Sequence, residues 1–385
     1  MMNKLKELLA RFLYALPGKK YIVLESNPPM EDNVGAVYRR LIRDGWNEKY
    51  RIAWALSDDD RLEPREKNVT TVRTDTTWNT IRFAVVCCRA AAILDCNRQV
   101  AKLCPKTLHI YLAHGGPIKR VDAYYRCNPT TDYVLCQSRS FEEILARELH
   151  IEREKLVTLG YPRNDLLFSG RAAPREYFGG DYRAFVVWYP TFRQHKAAQD
   201  SAGYHGGENV SIPVIDTPEG AAAVNEAAKK HGVLVVVKPH PAQDVSRIRT
   251  REMSNIRFID NRFFAAHGVA SYEFVGAVDG LITDYSTVLY DYLLLDRPIG
   301  LTWQDVEQYK KTPGFVLDMD FVRSGAAMLD TPEDFDRFFE SVVAGQDPNE
   351  AGRKAVKEWA NSFPDDRSTD RFMDFLRGAM EARGL

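Results

Sequence analysis

A polar cluster separates two apolar segments within residues 279–298, which read DGLITDYSTVLYDYLLLDRP. The apolar run at 280–282 predicts a buried strand, and the apolar spacing after Thr287 predicts a helix. The cluster between them contains Asp284, Ser286 and Thr287. The first N–H groups of a helix lack partners and the helix dipole is positive there, so this turn would suit a phosphate. The alternative is a helix N-cap, with Asp284 or Ser286 as the capping residue.

A second cluster, HGGPIKR, begins at His114 directly after the apolar run 108–113. Parallel sheets present ligands at the ends of their strands. Gly115 and Gly116 allow the backbone to come close to a bound group, and Lys119 adds positive charge. The imidazole of His114 could act as a general base near neutral pH. The alternative is a turn after a strand that contains a hydrogen-bonded histidine.

A third cluster, KPHP, contains Lys238 and His240 and follows the apolar run 233–237. A proline on each side of His240 stiffens the backbone around it. Such stiffness would suit an imidazole that must be held in place, and the alternative is a rigid turn without a ligand.

Two further clusters contain cations. The sequence YPTFR at 189–193 stands at the end of the apolar run 183–189, and its Thr191 hydroxyl and Arg193 guanidinium are both suited to phosphate. The alternative is a capped strand end with a solvated arginine. Arg163 lies in GYPRND at 160–165, which is either an interdomain turn or part of a cleft.

The elements that must position these clusters alternate between apolar runs and helical segments. Such alternation is typical of βαβ units and of parallel sheets, so the fold class is α/β. Two alternating series flank the Gly-, Pro- and charge-rich stretch 169–181, which predicts a linker. We therefore expect an N-terminal domain at 1–170 with an N-terminal amphipathic helix, and a C-terminal domain at 171–385 that ends in helices.

Composition excludes several classes of function. The chain has 385 residues with 45% hydrophobic residues and a net charge of -1, so bulk binding to nucleic acid is not expected. Its six cysteines form no CxxC pair, which excludes zinc-ribbon and dithiol redox motifs and fits a reduced cytosolic setting. Neither GxGxxG nor GxxxxGK[ST] occurs, and no carboxylate cluster predicts a metal site.

The N-terminal sequence MMNKLKELLARFLYALPGKK is amphipathic. Leucines and Phe12 fall on one helical face, and lysines with Arg11 supply positive charge. Glu7 and Arg11 interrupt the apolar centre, unlike in a signal peptide. The helix either lies on an anionic membrane surface or packs its apolar face on its own domain.

The clusters together resemble the CDP-glycerol glycerophosphotransferase family, the teichoic acid primases and polymerases. The similarity covers roughly residues 20 to 310 in the right order. It is carried by HGGPIK at 114–119, GYPRND at 160–165, YPTFR at 189–193, KPHP at 238–241 and TDYSTVLYDYLLLDRP at 283–298, together with Glu25-Ser26 and Asp32-Asn33.

This resemblance implies a GT-B fold, in which two Rossmann-like domains face a central cleft. It implies transfer of glycerol phosphate or ribitol phosphate from a CDP-polyol to a hydroxyl of a lipid-linked saccharide, with release of CMP. The C-terminal domain would bind the donor and the N-terminal domain the acceptor. No metal or other cofactor is expected, and the protein would work peripherally on the cytoplasmic face of the membrane.

The resemblance also implies roles for individual residues. His114 would be the catalytic base and His240 a catalytic contact of the donor phosphates. Donor contacts would come from Thr191, Arg193, Lys238, Asp284, Ser286, Thr287 and, through the ribose, Asp291, although Asp291 could instead face solvent. Gly115, Gly116, Lys119 and Arg163 would line the cleft or contact the acceptor.

Three positions depart from the usual family pattern. Gly116 replaces a threonine and so removes a hydroxyl, whereas Lys238 and Thr287 keep the charge or hydroxyl of the usual arginine and serine. CDP-ribitol as donor, a GT-B glycosyltransferase and an inactive nucleotide-binding protein remain alternatives.

Overall fold

The computed structural model describes residues 2–57, 62–122, 125–191, 212–240 and 253–385, with side chains from residue 7 onward. These residues divide into two compact units. The first comprises Met1–Gly115, Arg126–Leu166 and Asp365–Leu385, and the second comprises Gly116–Tyr125 and Leu167–Pro364.

The strands are short and mostly buried, as expected where helices cover both faces of a parallel sheet. In chain order they are β1 (Tyr21–Glu25), β2 (Arg51–Ala55), β3 (Val69–Val72), β4 (Ala90–Asp95), β5 (Leu108–Tyr111), β6 (Tyr133–Cys136), β7 (Leu156–Thr158), β8 (Ala184–Tyr189), β9 (Val233–Val237), β10 (Ile256–Phe258), β11 (Gly280–Thr283), β12 (Ile299–Leu301) and β13 (Ala327–Met328).

The helices connect these strands. They are α1 (Met2–Ala15), α2 (Asp32–Arg43), α3 (Trp46–Lys49), α4 (Thr77–Cys88), α5 (Glu142–Leu149), α6 (Pro174–Phe178), α7 (Pro218–His231), α8 (Asn261–His267), α9 (Ser271–Gly276), α10 (Val288–Tyr292), α11 (Val306–Lys311), α12 (Met319–Arg323), α13 (Pro332–Ala344), α14 (Glu350–Ala360) and α15 (Ser368–Glu381). Within the described residues, no helix is long and apolar enough to cross a membrane.

The first unit contains a seven-stranded sheet with the order β3-β2-β1-β4-β5-β6-β7, and all its neighbouring strands are parallel. The chain turns from one side of the sheet to the other between β1 and β4. The buried strand β4 lies beside β5, so the carboxyl ends of these two strands share one edge. His114 follows β5 at that edge.

The second unit contains a six-stranded parallel sheet with the order β10-β9-β8-β11-β12-β13. Its core lies where α7 and α13 cover one face, around Trp188, Val235 and Phe335. Local signals set the ends of α7: the Thr217 hydroxyl accepts a hydrogen bond from the N–H of the third residue of the helix, Gly220, and Gly232 ends the helix with a left-handed φ of 69°.

The two units differ from the predicted division at 170/171 in three segments, which are residues 116–125, 167–170 and 365–385. Residues 116–125 belong to the second unit, because Lys119 forms an antiparallel bridge with Phe315 and the Arg120 N–H donates to the Gly314 carbonyl at 3.0 Å. Helix α15 belongs to the first unit. Its first N–H groups donate to the Asp165 carboxylate at 2.9 and 2.7 Å.

Candidate active site

Three neighbouring strands of the second sheet end in polar residues at the same edge. These strands are β9, β8 and β11, and because they are parallel their carboxyl ends lie together. The chain reverses its direction of winding between β8 and β11, which makes this edge a topological switch point. Open α/β sheets bind ligands in the crevice outside such a point.

Asp284 ties the ends of β8 and β11 together. Its fully buried carboxylate accepts the Thr191 N–H at 2.9 and 3.0 Å and the Tyr285 N–H at 2.6 Å, and it also accepts the Thr191 hydroxyl. Asp284 was predicted to contact the donor or to cap the helix. The structure instead makes it a positioning residue, since both of its oxygens face backbone and side-chain donors of the protein.

Ser286 and Thr287 are the two residues between Gly280 and Leu294 that are not buried. Their side-chain hydroxyls make no hydrogen bond with any other residue that the structure describes. The helix that follows, α10, has five residues, and its N-cap residue is Thr287 without a side-chain cap bond. The predicted capping by Asp284 or Ser286 is therefore wrong, and both hydroxyls are available to a ligand.

Lys238, His240 and Lys119 form the cationic part of this edge. The exposed His240 ring has a lowered pKa because surrounding protein desolvates it and because Lys238 and Lys119 are positively charged. Desolvation also lowers the pKa of Lys119, although solvent still reaches its side chain. The Lys238 amine lies 5.5 Å from the centre of the Tyr189 ring, a cation–π contact that orients it.

The position of Lys119 differs from the prediction, which grouped it with acceptor or cleft residues. The structure places it in the second unit near His240, where its charge adds to that of Lys238. The predicted donor contact Arg193 lies outside the described residues. The edge thus combines two hydroxyls, two ammonium groups and an imidazole, which together suit a diphosphate.

Asp291 does not belong to this edge. Its carboxylate is fully buried and accepts a hydrogen bond from the Tyr272 hydroxyl at 2.5 Å. Neither predicted role, a contact with the donor ribose or a solvent-facing carboxylate, agrees with this position, because the side chain points into the packed interior of the second unit.

In the first unit, the exposed His114 follows β5 at the sheet edge. Ala113 before it adopts a left-handed φ of 50°, which turns the chain sharply at this point. The Nδ1 atom of His114 lies 3.4 Å from the Cys96 carbonyl oxygen. Donation from Nδ1 to that carbonyl selects the tautomer whose Nε2 atom can accept a proton.

Arg163 holds the backbone of His114. Its guanidinium is buried and donates at 2.6 Å to both the His114 carbonyl and the Asp32 carboxylate. Arg163 was predicted to line the cleft or to contact the acceptor. In the structure the guanidinium forms an ion pair with Asp32 and holds the His114 carbonyl. Arg163 therefore positions the histidine instead of contacting the acceptor.

Asn33 and Tyr161 complete this support and were missed as site residues. The Asn33 amide donates to the Leu112 and Ala113 carbonyls at 3.1 and 2.9 Å, and its oxygen accepts the Arg163 N–H at 3.2 Å. The Tyr161 hydroxyl donates to the Gly115 carbonyl at 3.0 Å. Asn33 is the second residue of α2, and its place in the Asp32-Asn33 motif of the family resemblance was the signal that could have identified it. Gly115 is half-buried and Gly116 is buried in this turn.

Comparison with known proteins identifies the family of the chain. A family model described as CDP-Glycerol:Poly(glycerophosphate) glycerophosphotransferase matches residues 8–377. A teichoic acid glycerol-phosphate transferase of Staphylococcus aureus is 23% identical, over 82% of this chain and 84% of that protein. A teichoic acid ribitol-phosphate primase of Bacillus spizizenii is also 23% identical, over 64% of this chain and 59% of that protein.

Solved structures show the same fold. The wall teichoic acid polymerase TagF matches with a TM-score of 0.71 and 17% identity, covering 99% of this chain and 93% of that chain. The UDP-GlcNAc 2-epimerase of Methanocaldococcus jannaschii matches with a TM-score of 0.51 and 13% identity, over 94% and 99% of the two chains. The predicted GT-B class, with two Rossmann-like sheets, is confirmed.

Proposed function

We propose that this chain, which belongs to the CDP-glycerol:poly(glycerophosphate) glycerophosphotransferase family, transfers glycerol phosphate from CDP-glycerol to a hydroxyl and releases CMP. The family match across residues 8–377 carries this proposal. The polar edge of the second sheet supports it, because hydroxyls and cations gather there at a switch point, as the diphosphate of the donor requires.

The donor would bind at the second unit. The hydroxyls of Ser286 and Thr287 would donate to phosphate oxygens, and the ammonium groups of Lys119 and Lys238 would offset their charge. His240 would donate a hydrogen bond to the same group. Because the bound anion favours the protonated imidazole, donor binding should raise the pKa of His240 from its lowered value.

The chemical step is an in-line displacement at phosphorus. The acceptor oxygen attacks the glycerol-bearing phosphorus, the bond from that phosphorus to the bridging oxygen breaks, and CMP leaves with the bridging oxygen. The acceptor proton passes to Nε2 of His114. Positioning and charge stabilisation supply most of the catalysis in such reactions.

Side-chain cations are proposed to neutralise the leaving group without a metal ion. Among the described residues, no three His, Cys, Asp or Glu side chains converge as metal ligands. If Lys119, Lys238 and His240 supply the positive charge, turnover should persist in a chelator. Loss of CMP release in EDTA, with recovery on addition of Mg²⁺, would contradict this part of the proposal.

The acceptor is proposed to be a lipid-linked saccharide at the inner face of the membrane. Helices α1 and α4 expose large apolar side chains in the first unit: Leu8, Leu9 and Phe12 on α1, and Trp78 and Ile81 on α4. The opposite side of α1 packs Ala10 and Tyr14 against Cys88 and Cys104. Leu8, Leu9 and Phe12 of the predicted apolar face are thus exposed, which supports the membrane-surface role over the alternative that this face packs on its own domain, and α4 extends the exposed surface.

Vesicle flotation tests the membrane contact. We expect binding to phosphatidylglycerol vesicles and weaker binding to phosphatidylcholine vesicles, because Arg82 on α4 adds positive charge beside the exposed apolar side chains. Trp78→Glu should release the protein from the vesicles. Phe168→Glu, at an exposed apolar side chain of the second unit, is the matched control and should leave binding unchanged.

The activity is tested by incubating the protein with CDP-glycerol or CDP-ribitol and a panel of lipid-linked disaccharides. CMP release and a product heavier by one glycerol phosphate are expected. CDP-ribitol is included as a second donor because a ribitol-phosphate primase and a glycerol-phosphate transferase match this chain at the same sequence identity. Release of UDP or GDP from a nucleotide sugar would indicate a glycosyltransferase, and donor binding without turnover would indicate a binding protein.

A further inference from the structure

A cavity of about 450 Å³ lies in the first unit at the amino ends of β5, β6 and β7. Residues that precede these strands line it, among them Lys102, Thr131 and Lys155. His114 follows the carboxyl end of β5, so the cavity and the histidine lie at opposite edges of the same sheet. The reaction proposed above makes no use of this cavity.

The cavity has an excess of positive charge. Asp132 is the carboxylate among its lining residues, and it pairs with Lys102 at 2.8 Å and with Arg383 at 2.9 Å. One negative charge thus faces two positive charges. Lys155 adds a third cation, because its nearest carboxylate, Glu152, lies 3.5 Å away and is well exposed, where ion pairs are weak.

A second cavity of about 540 Å³ adjoins the first and shares Pro129 with it. Arg126 and His150 line this cavity, and both side chains are exposed. Arg126 forms no ion pair with any residue that the structure describes. Among the described residues that line this second cavity, none is a carboxylate. We call the two cavities together the basic groove.

We propose that the basic groove binds a phosphodiester chain, the growing poly(glycerol phosphate) product. The proposal rests on the proposed transfer of glycerol phosphate. Cations lie in both cavities, on either side of Pro129, so a ligand that uses both needs more than one phosphate. A repeating polyanion meets that requirement, whereas a single free phosphate or one phospholipid head group would occupy one cavity.

Binding is tested directly with soluble probes. A fluorescent poly(glycerol phosphate) oligomer of about ten units is titrated with the protein at low ionic strength, and glycerol 3-phosphate and phosphatidylglycerol vesicles are tested as competitors. We expect the affinity to rise with oligomer length and to fall with added salt, as for other polyanions. Lys155→Glu and Arg126→Glu should each weaken oligomer binding at least about fivefold.

Lys67→Glu is the matched control. Lys67 is an exposed lysine that also precedes a strand, β3, but at the far side of the same sheet. Reversing the charge of Lys67 should leave the oligomer affinity unchanged. Thermal unfolding should show that Lys155→Glu, Arg126→Glu and Lys67→Glu all fold. Equal weakening by all three reversals, or equal competition by glycerol 3-phosphate and by the oligomer, would overturn the proposal. Displacement by phosphatidylglycerol vesicles alone would assign the groove to lipid head groups and would also overturn it.

A product-length assay separates this proposal from the proposed activity. The wild-type protein should extend a primer bearing several glycerol phosphate units to longer products than Lys155→Glu does. Wild-type protein that binds the oligomer but never releases CMP would refute the proposed activity and leave the groove intact. Wild-type protein that releases CMP but does not bind the oligomer would refute the groove proposal and leave the proposed activity intact.

Discussion

Replacing Asp284 with alanine should loosen the edge that carries the donor-binding hydroxyls. The change removes the acceptor of the Thr191 N–H, of the Thr191 hydroxyl and of the Tyr285 N–H. A buried donor left without a partner costs about 1–3 kcal/mol. Because Thr191 is partly exposed and water can replace part of the loss, we expect the free energy of unfolding to fall by about 3 kcal/mol.

Urea unfolding followed by tryptophan fluorescence measures this loss, since the Trp303 indole N–H donates to the Asp284 carbonyl at 3.1 Å. Calorimetry with CDP-glycerol should also show donor affinity weakened by at least about tenfold, which corresponds to about 1.4 kcal/mol. Asp260→Ala is the matched control. Asp260 caps α8 with one hydrogen bond to the Arg262 N–H, and its loss should cost about 1 kcal/mol and leave donor affinity unchanged.

Equal destabilisation by the two substitutions would refute the reasoning. So would an Asp284→Ala variant that binds the donor as the wild type does, because the strand ends would then keep their positions without the carboxylate. Asp284→Asn separates charge from shape: it keeps the volume and one acceptor, so its stability should fall between those of the alanine variant and the wild type.

Three further outcomes follow from the same geometry. In an NMR titration, Lys119→Met should raise the pKa of His240 toward its ordinary value of about 6.5, because one of the charges that lower it is gone. Ser286→Ala and Thr287→Ala should each weaken CDP-glycerol binding by about 1 kcal/mol in calorimetry and leave the melting temperature unchanged, because neither hydroxyl has a hydrogen-bond partner among the described residues. Arg163→Lys should lower kcat while donor affinity stays constant, since the flexible lysine ammonium lacks the rigid planar geometry with which one guanidinium nitrogen holds both acceptors.

The lowered pKa of His240 also gives a pH dependence with a definite sign. The folded protein binds the proton less tightly than the unfolded chain does. His240 therefore contributes stability above the unfolded pKa of about 6.5, and this contribution is lost as the pH falls through the lowered folded pKa. Donor affinity should change in the opposite direction and rise as the pH falls, because the diphosphate favours the protonated ring. Constant donor affinity between pH 5.5 and pH 7.5, about one pH unit on each side of the unfolded pKa of about 6.5, would contradict a contact between His240 and the donor.

Local signals explain the parts of the fold that the sequence could predict. The run of apolar residues at 233–237 forms β9 with the predicted bounds, because a fully buried parallel strand needs such a run. Helix α7 likewise begins and ends as its Thr217, Pro218 and Gly232 indicate. In contrast, β7 has three residues, and an element that short carries too few residues to show a period.

The candidate site was predictable only in part. The sequence located Ser286, Thr287, His114 and His240 at strand ends because strand ends are visible as boundaries of apolar runs. The sequence does not show which polar side chains point inward. The full burial of Asp291 was therefore not predicted.

Contacts between residues far apart in the chain could not be predicted from the sequence either. Asn33 and Arg163 are 130 residues apart in sequence, yet they meet at the support of His114. No local pattern encodes that contact, and it depends on how β1, β5 and β7 lie in the sheet. The same is true of Lys119, whose bridge to Phe315 places it in the second unit.

The most direct test of the proposed reaction follows the label from CDP-glycerol that carries ³²P in its glycerol-bearing phosphate. Attack at that phosphorus predicts that the label moves to the acceptor with unlabelled CMP released, and that His114→Ala abolishes the transfer while calorimetry still shows donor binding. Label that stays on the nucleotide as CDP, or wild-type turnover by the His114 variant, would contradict the account.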